Sequence, residues 1–118
     1  MAGASPADVN VAEIHDCFTV MGAIGTEVIG KAGYGRGARY WAEGKADPKG
    51  ECGINTSGDL IAKGHPVGAT GLAMIGWSAW QLQGKAPAEL QVPNPKLAAT
   101  FNIGGPICAS VCTVLRRA

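Results

Sequence analysis

The chain has 118 residues, enough for one domain and no more. Ten Lys and Arg stand against nine Asp and Glu, a formal net charge of +1 that excludes a strong electrostatic pull on nucleic acid or an anionic membrane. Hydrophobic residues make up 47% and charged ones 16%, which excludes a disordered chain and suggests more buried surface than one small domain can hide.

Residues 9–14 alternate and end at a histidine, which predicts a short strand running into a loop at His15-Asp16-Cys17-Phe18. Val20, Ala23, Ile24, Val28 and Ile29 have helical spacing and predict a helix over 19–31. Gly30, Gly33, Gly35 and Gly37 should stop it. The stretch 30–53 is rich in turn pairs such as Asp47-Pro48 and Lys49-Gly50, and reads as a long exposed loop. Its Lys31, Arg36 and Arg39 read as solvated charges, with contact to coenzyme A phosphates as the alternative. No Gly-Lys-Ser/Thr follows the glycines, so a P-loop is excluded.

Ile54-Asn55-Thr56 predicts a very short strand. A second helix is expected over 66–83, with Pro66 in its first turn, where a missing N–H is harmless. No charged residue stands between His65 and Lys85, yet Gly68, Thr70, Gly71, Gly76, Ser78, Gln81 and Gln83 argue against a membrane span. The better reading is a helix buried on most sides. Trp77 and Trp80 share a face and read as core packing.

Pro93-Asn94-Pro95 reads as a rigid linker. Residues 97–103 and 107–115 predict two strands joined by Gly104-Gly105-Pro106. In the last strand Ile107, Ala109, Val111, Thr113 and Leu115 share one face, and Cys108, Ser110, Cys112 and Val114 the other. Both faces are apolar or small, which predicts an inner strand covered on both sides. The order strand–helix–strand–helix–strand–strand is an α/β layer arrangement.

The four cysteines form no CxxC pair, and no His cluster accompanies them, so no metal site is expected. The opening residues show no charged-then-apolar signal, and the last four no peroxisomal SKL-type ending. Reduced thiols and a cytoplasmic location are the expectation.

Three segments carry chemistry. His15-Asp16-Cys17-Phe18 places a thiol two residues from an imidazole. In Gly64-His65-Pro66-Val67-Gly68-Ala69-Thr70-Gly71, a histidine just before a helix N-terminus favours the neutral ring, the form that acts as a base. Asn102-Ile103-Gly104-Gly105 offers backbone N–H groups suited to an oxyanion hole. Singly, each has a structural reading as well: a hydrogen-bonded histidine beside a buried cysteine, a capping histidine with packing glycines, and an ordinary turn.

Taken in order, residues 13–18, 55–71 and 102–105 resemble the C-terminal half of a thiolase. The likeness is strongest to sterol-carrier-protein-type thiolases and their archaeal and bacterial relatives. It implies an α/β thiolase-like C-terminal domain, a mixed sheet with a buried central helix, incomplete at its N-terminal side. The family's first strand and helix of this domain, and the whole N-terminal domain, have no counterpart in the chain.

The resemblance implies Claisen condensation or thiolysis of β-ketoacyl-CoA through an acyl-cysteine. His65 is then the base for the nucleophilic cysteine. His15 stands where most thiolases have an asparagine; it holds a water and, with His65, forms an oxyanion hole for the thioester enolate. Gly104 contributes its N–H to a second oxyanion hole. Asn102 replaces the usual acid/base cysteine and cannot shuttle a proton, which makes Cys17 the candidate for that role. Ser57, Gly58 and Gly68 are the candidate acyl-CoA contacts. The CoA thioester is substrate, and no permanently bound cofactor or metal is implied.

Cys52, Cys108 and Cys112 match no nucleophile motif, so the chain by itself is expected to lack turnover. The implied partner is a cysteine-bearing N-terminal half or another thiolase-like subunit in an oligomer. Nucleic acid and membrane are not expected as partners. A non-catalytic thiolase-like interaction subunit and a subunit of a retro-aldolase-type lyase are the alternatives.

Overall fold

Four strands form one mixed sheet in the order β2-β1-β3-β4. The structure is a computed structural model that describes residues 3–105 and 108–118. Strand β1 (Val11–Ile14) is buried along its whole length. It pairs in parallel with β2 (Gly53–Ile54) on one side and β3 (Leu97–Gly104) on the other. Such a strand is covered on both faces, which is why four successive residues are buried where alternation alone hides every second one. Strand β4 (Ala109–Arg116) closes the sheet antiparallel to β3, with Leu97 opposite Arg116 and Gly104 opposite Ala109.

Helices lie on both faces. Helix α1 (Thr19–Val28) and helix α2 (Gly37–Ala42) cover a cluster that includes Ala12, Ile14, Tyr40, Leu97, Ala99 and Phe101. Helix α3 (Thr70–Gln83) covers Val11 and Ala98 with Leu82. The alternation of β1 and β3 therefore sends Glu13, His15, Thr100 and Asn102 toward α3. Close approach of α1 requires Gly25, since a Cβ there would overlap the Ile14 side chain.

The faces foreseen for the last strand hold where it is described. Leu115 packs with the α3-side cluster and Val114 with the opposite one. Pro106 and Ile107, part of the foreseen turn and strand, lie outside the described residues. The expected inner position is corrected, because β4 is an edge strand and mostly exposed. Apolar composition on both faces shows what a strand is suited to bury; among the described residues only its second half, at Thr113, Val114 and Leu115, is partly covered.

The stretch 30–53 is likewise no plain loop. It contains α2, and Tyr40, Ala46 and Cys52 enter the core. Trp41 donates its Nε1–H to Thr26 Oγ1 at 2.9 Å. The Glu27 carboxylate accepts the N–H groups of Gly35 and Gly37 at 3.0 and 2.8 Å. These ties, 8 to 15 positions apart in sequence, order a segment whose local signals are all turns. Lys31, Arg36 and Arg39 stay at its surface, and Arg39 and Lys45 both pair with Glu43.

The second helix begins at Thr70, later than foreseen. Pro66 instead opens a tight turn, with its carbonyl accepting the N–H groups of Ala69 and Thr70. A five-residue π-helical turn, Asp59–Lys63, precedes it. Helix α3 buries Thr70, Met74, Ser78, Gln81 and Leu82 along one stripe and leaves Leu72 74% and Trp80 53% exposed. The expectation of burial on most sides is thus corrected to burial on one. The stripe is polar at Gln81, whose side chain is fully bonded. It donates to Thr56 Oγ1 and to the Leu90 carbonyl, and accepts from Val92 N–H and Gln91 Nε2. Among the described residues no helix is long and apolar enough to cross a membrane.

Candidate active site

The ends of β1 and β3 and the turn before α3 converge on two imidazoles. His15 continues the β1–β3 ladder one step beyond Ile14, its N–H donating to the Phe101 carbonyl at 2.9 Å. It is buried, whereas His65 is exposed. Their rings meet edge to face, with centroids 5.1 Å apart and planes 88° apart. Each ring is held through Nδ1. The partner of His15 is Asn102 Oδ1 at 2.7 Å, across 87 positions of sequence. The partner of His65 is Thr70 Oγ1 at 2.8 Å.

The seat of His15 is built by residues that motif reading passed over. Asn55 brackets Ile14, accepting its N–H at 2.6 Å and donating to its carbonyl at 2.9 Å. The Asp16 carboxylate accepts the Leu60 N–H at 2.9 Å and ties the π-helical turn to the loop after β1. Glu13 is fully buried, and its carboxylate is bonded by the Ser57 hydroxyl. Burial pushes the Glu13 carboxyl up to about 8, against the opposing hydrogen bond from Ser57. Asp59 is also fully buried; desolvation, then the neighbouring Asp16 charge, push it up to about 7. The signal for all four lay in the blocks 13–18 and 55–71, but as polar letters without a partner in view.

Of the foreseen residues, the structure brings His15 and His65 together, with Asn102 beside them. Cys17 is exposed at the bend before α1. Gly104 ends β3 at an exposed position opposite Ala109. The Ser57 hydroxyl faces inward, bonding Glu13 and accepting the Asp59 N–H at 3.0 Å. Gly58 opens the π-helical turn with φ +84°, and Gly68 has open space around it. The predicted start of the helix at Pro66 is replaced by a turn, so His65 stands one turn ahead of the helix end.

Trp77 is tied inward by its Nε1–H to Thr56 Oγ1 at 2.8 Å, while its neighbour Trp80 is half exposed. The four cysteines form no disulfide with one another. Burial pushes the Cys52 thiol up to about 11, which leaves it unsuited to nucleophilic work.

Chemically, the pair offers an open site with two imidazoles whose inner nitrogens are committed to the protein. Among the described residues, Nε2 of neither ring has a hydrogen-bond partner. Such a pair can take a proton and can stabilise a developing oxyanion.

The Thiolase C-terminal domain-like family model matches residues 1–117. The chain is 40% identical over 105 residues to an acetyl-CoA acetyltransferase of Methanothermobacter thermautotrophicus, covering 89% of this chain and 27% of that protein. It is 43% identical over 103 residues to sterol carrier protein 2 of Homo sapiens, covering 87% and 19%. It is 35% identical over 104 residues to the benzoylsuccinyl-CoA thiolase subunit BbsB of Thauera aromatica, covering 88% and 27%. The chain thus spans about a fifth to a quarter of the length of these relatives. A solved Ltp2–ChsH2(DUF35) aldolase superposes with a TM-score of 0.84 at 20% identity, over 98% of this chain and 28% of that one, a likeness of fold.

Proposed function

Because the chain belongs to the thiolase C-terminal domain-like family, we propose that it forms the C-terminal catalytic portion of a thiolase-type acyl-CoA acyltransferase. Its substrates are CoA thioesters, condensed or cleaved as β-ketoacyl-CoA. It works with a cysteine-bearing N-terminal half, which supplies the acyl carrier. The observation that carries this reading is the edge-to-face pair of His15 and His65, drawn from two distant segments.

His65 takes the thiol proton of that cysteine on Nε2, so that the thiolate attacks the acyl carbonyl. His15 and His65 face the thioester oxygen as the enolate forms, where fixed hydrogen-bonding groups lower the barrier most. The Gly104 N–H serves the tetrahedral intermediate at the acyl-cysteine. Cys17 supplies the second acid/base group, because the Asn102 amide cannot exchange a proton at neutral pH. One relative is itself named as a thiolase subunit, which fits such an arrangement.

The test is reconstitution. The 118-residue chain should show no acetoacetyl-CoA thiolysis by itself. Combined with an N-terminal thiolase half, it should restore turnover, and His65→Ala should abolish it. Turnover by the chain alone, or reconstituted turnover indifferent to His65→Ala, would overturn the reading. Product analysis with a β-hydroxyacyl-CoA beside a β-ketoacyl-CoA separates carbon–carbon lyase activity from acyl transfer. An assembled but inert complex would mark an interaction subunit.

A further inference from the structure

The two Nδ1 contacts determine where the ring protons sit. A carboxamide oxygen only accepts, so the 2.7 Å contact between His15 Nδ1 and Asn102 Oδ1 places a proton on that Nδ1. The Thr70 hydroxyl lies 3.2 Å from the Pro66 carbonyl. With its hydrogen turned there, it accepts from His65 Nδ1 at 2.8 Å, and that nitrogen also carries its proton. In a neutral ring, Nε2 is then a lone-pair acceptor on both histidines. That suits His65 as a base. It does not suit His15 as a direct donor to an enolate oxygen, because a neutral ring in this form has no Nε2–H.

We propose that Asn102 is a positioning residue that holds His15 in the Nδ1–H tautomer, so that His15 reaches the thioester oxygen through a water. The water donates one O–H to His15 Nε2 and keeps the other for the oxygen. The role in catalysis rests on the acyl-transfer reading above, whereas the tautomer rests on the hydrogen bonds alone. The seat of the amide restricts where it can lie. Asn102 projects from β3 toward α3, and a Cβ at Gly71 would stand 2.7 Å from its Nδ2. The amide thus occupies space that only glycine leaves free at that point of the helix. Its nitrogen end is turned to the helix and its oxygen end to His15.

The chain has two histidines, so a long-range proton–nitrogen correlation spectrum of the full chain resolves both rings, and His15→Gln assigns them. At a pH where both are neutral, both should show the Nδ1–H pattern. Asn102→Ala should move His15 to the Nε2–H form that free histidine prefers and leave His65 unchanged. Asn102→Asp, which keeps an oxygen acceptor, should retain the Nδ1–H form of His15. An Nε2–H pattern for His15 in the unaltered chain overturns the proposal, and this needs no variant to fold. An unchanged His15 pattern in Asn102→Ala overturns it as well. Failure of the reconstituted acyl-transfer assay would strike the functional reading and leave the tautomer result standing.

Discussion

Asn55 uses its side chain as a strand would use its backbone, bonding both the N–H and the carbonyl of Ile14. The pairing continues the sheet past the two-residue β2 and holds the residue just before His15. Asn55 itself sits at φ +52°, a conformation asparagine tolerates better than most residues. Asn55→Ala leaves two buried backbone groups without partners and should cost about 1–3 kcal/mol. Urea denaturation measures this, and an unchanged midpoint would refute it.

Asp59 is strained and unpaired at once. Both carboxylate oxygens are buried without a hydrogen-bond partner among the described residues, and its φ is +33°. Asp59→Gly removes the buried carboxylate and relieves the backbone, and should stabilise the chain by about 1–3 kcal/mol. Asp59→Asn keeps the strained backbone and should recover less. A lowered urea midpoint for Asp59→Gly would show that the carboxylate has a stabilising partner in solution.

Stability should fall as pH rises through neutrality. Glu13 and Asp59 have ordinary values of 4.5 and 3.8 and are raised to about 8 and about 7 in the fold. Between these limits the native state binds more protons than the unfolded chain. Each group then removes roughly 1.4 kcal/mol of stability per pH unit until its folded value is passed. Glu43 acts the other way. Hydrogen bonds from Arg39 and then Lys45 hold it near 2, so its contribution is lost only on the acid side of about 4.5. Thermal unfolding from about pH 5 upward should therefore show a decline that levels off above about pH 8, flattened in Glu13→Gln. A melting temperature that rises over this range would contradict the burial of both carboxyls.

Helix α1 turns its apolar ridge outward. Val20, Ile24 and Val28 are exposed, while Gly22, Gly25 and Thr26 face the sheet. On the other face of the molecule Leu72 and Trp80 are exposed on α3, and Val111 on β4. Patches of this kind mark surfaces that bind something. The chain by itself should self-associate on size exclusion, and Leu72→Ser with Trp80→Ser should shift it toward monomer. A clean monomer for the unaltered chain would count against this.

The sequence by itself determined the elements with strong local periodicity, and the order of the strands along the chain. It also singled out His15, His65 and Asn102, because those letters stand in blocks specific to one family. It did not determine that Asn102 and His15 share a hydrogen bond, that Asn55 closes the sheet edge, or that Glu13 and Asp59 are buried as neighbours. Each of those facts joins residues more than 40 positions apart or depends on burial, which no local window contains. The same limit explains the misplaced expectations. An apolar helix face reads as buried whether it lies against a sheet, as Leu82 does, or faces outward, as Val20 and Ile24 do. The last strand is apolar on both faces, yet it lies at an edge. Periodicity states which face is fit for burial; only neighbours brought from elsewhere in the fold decide whether it is covered.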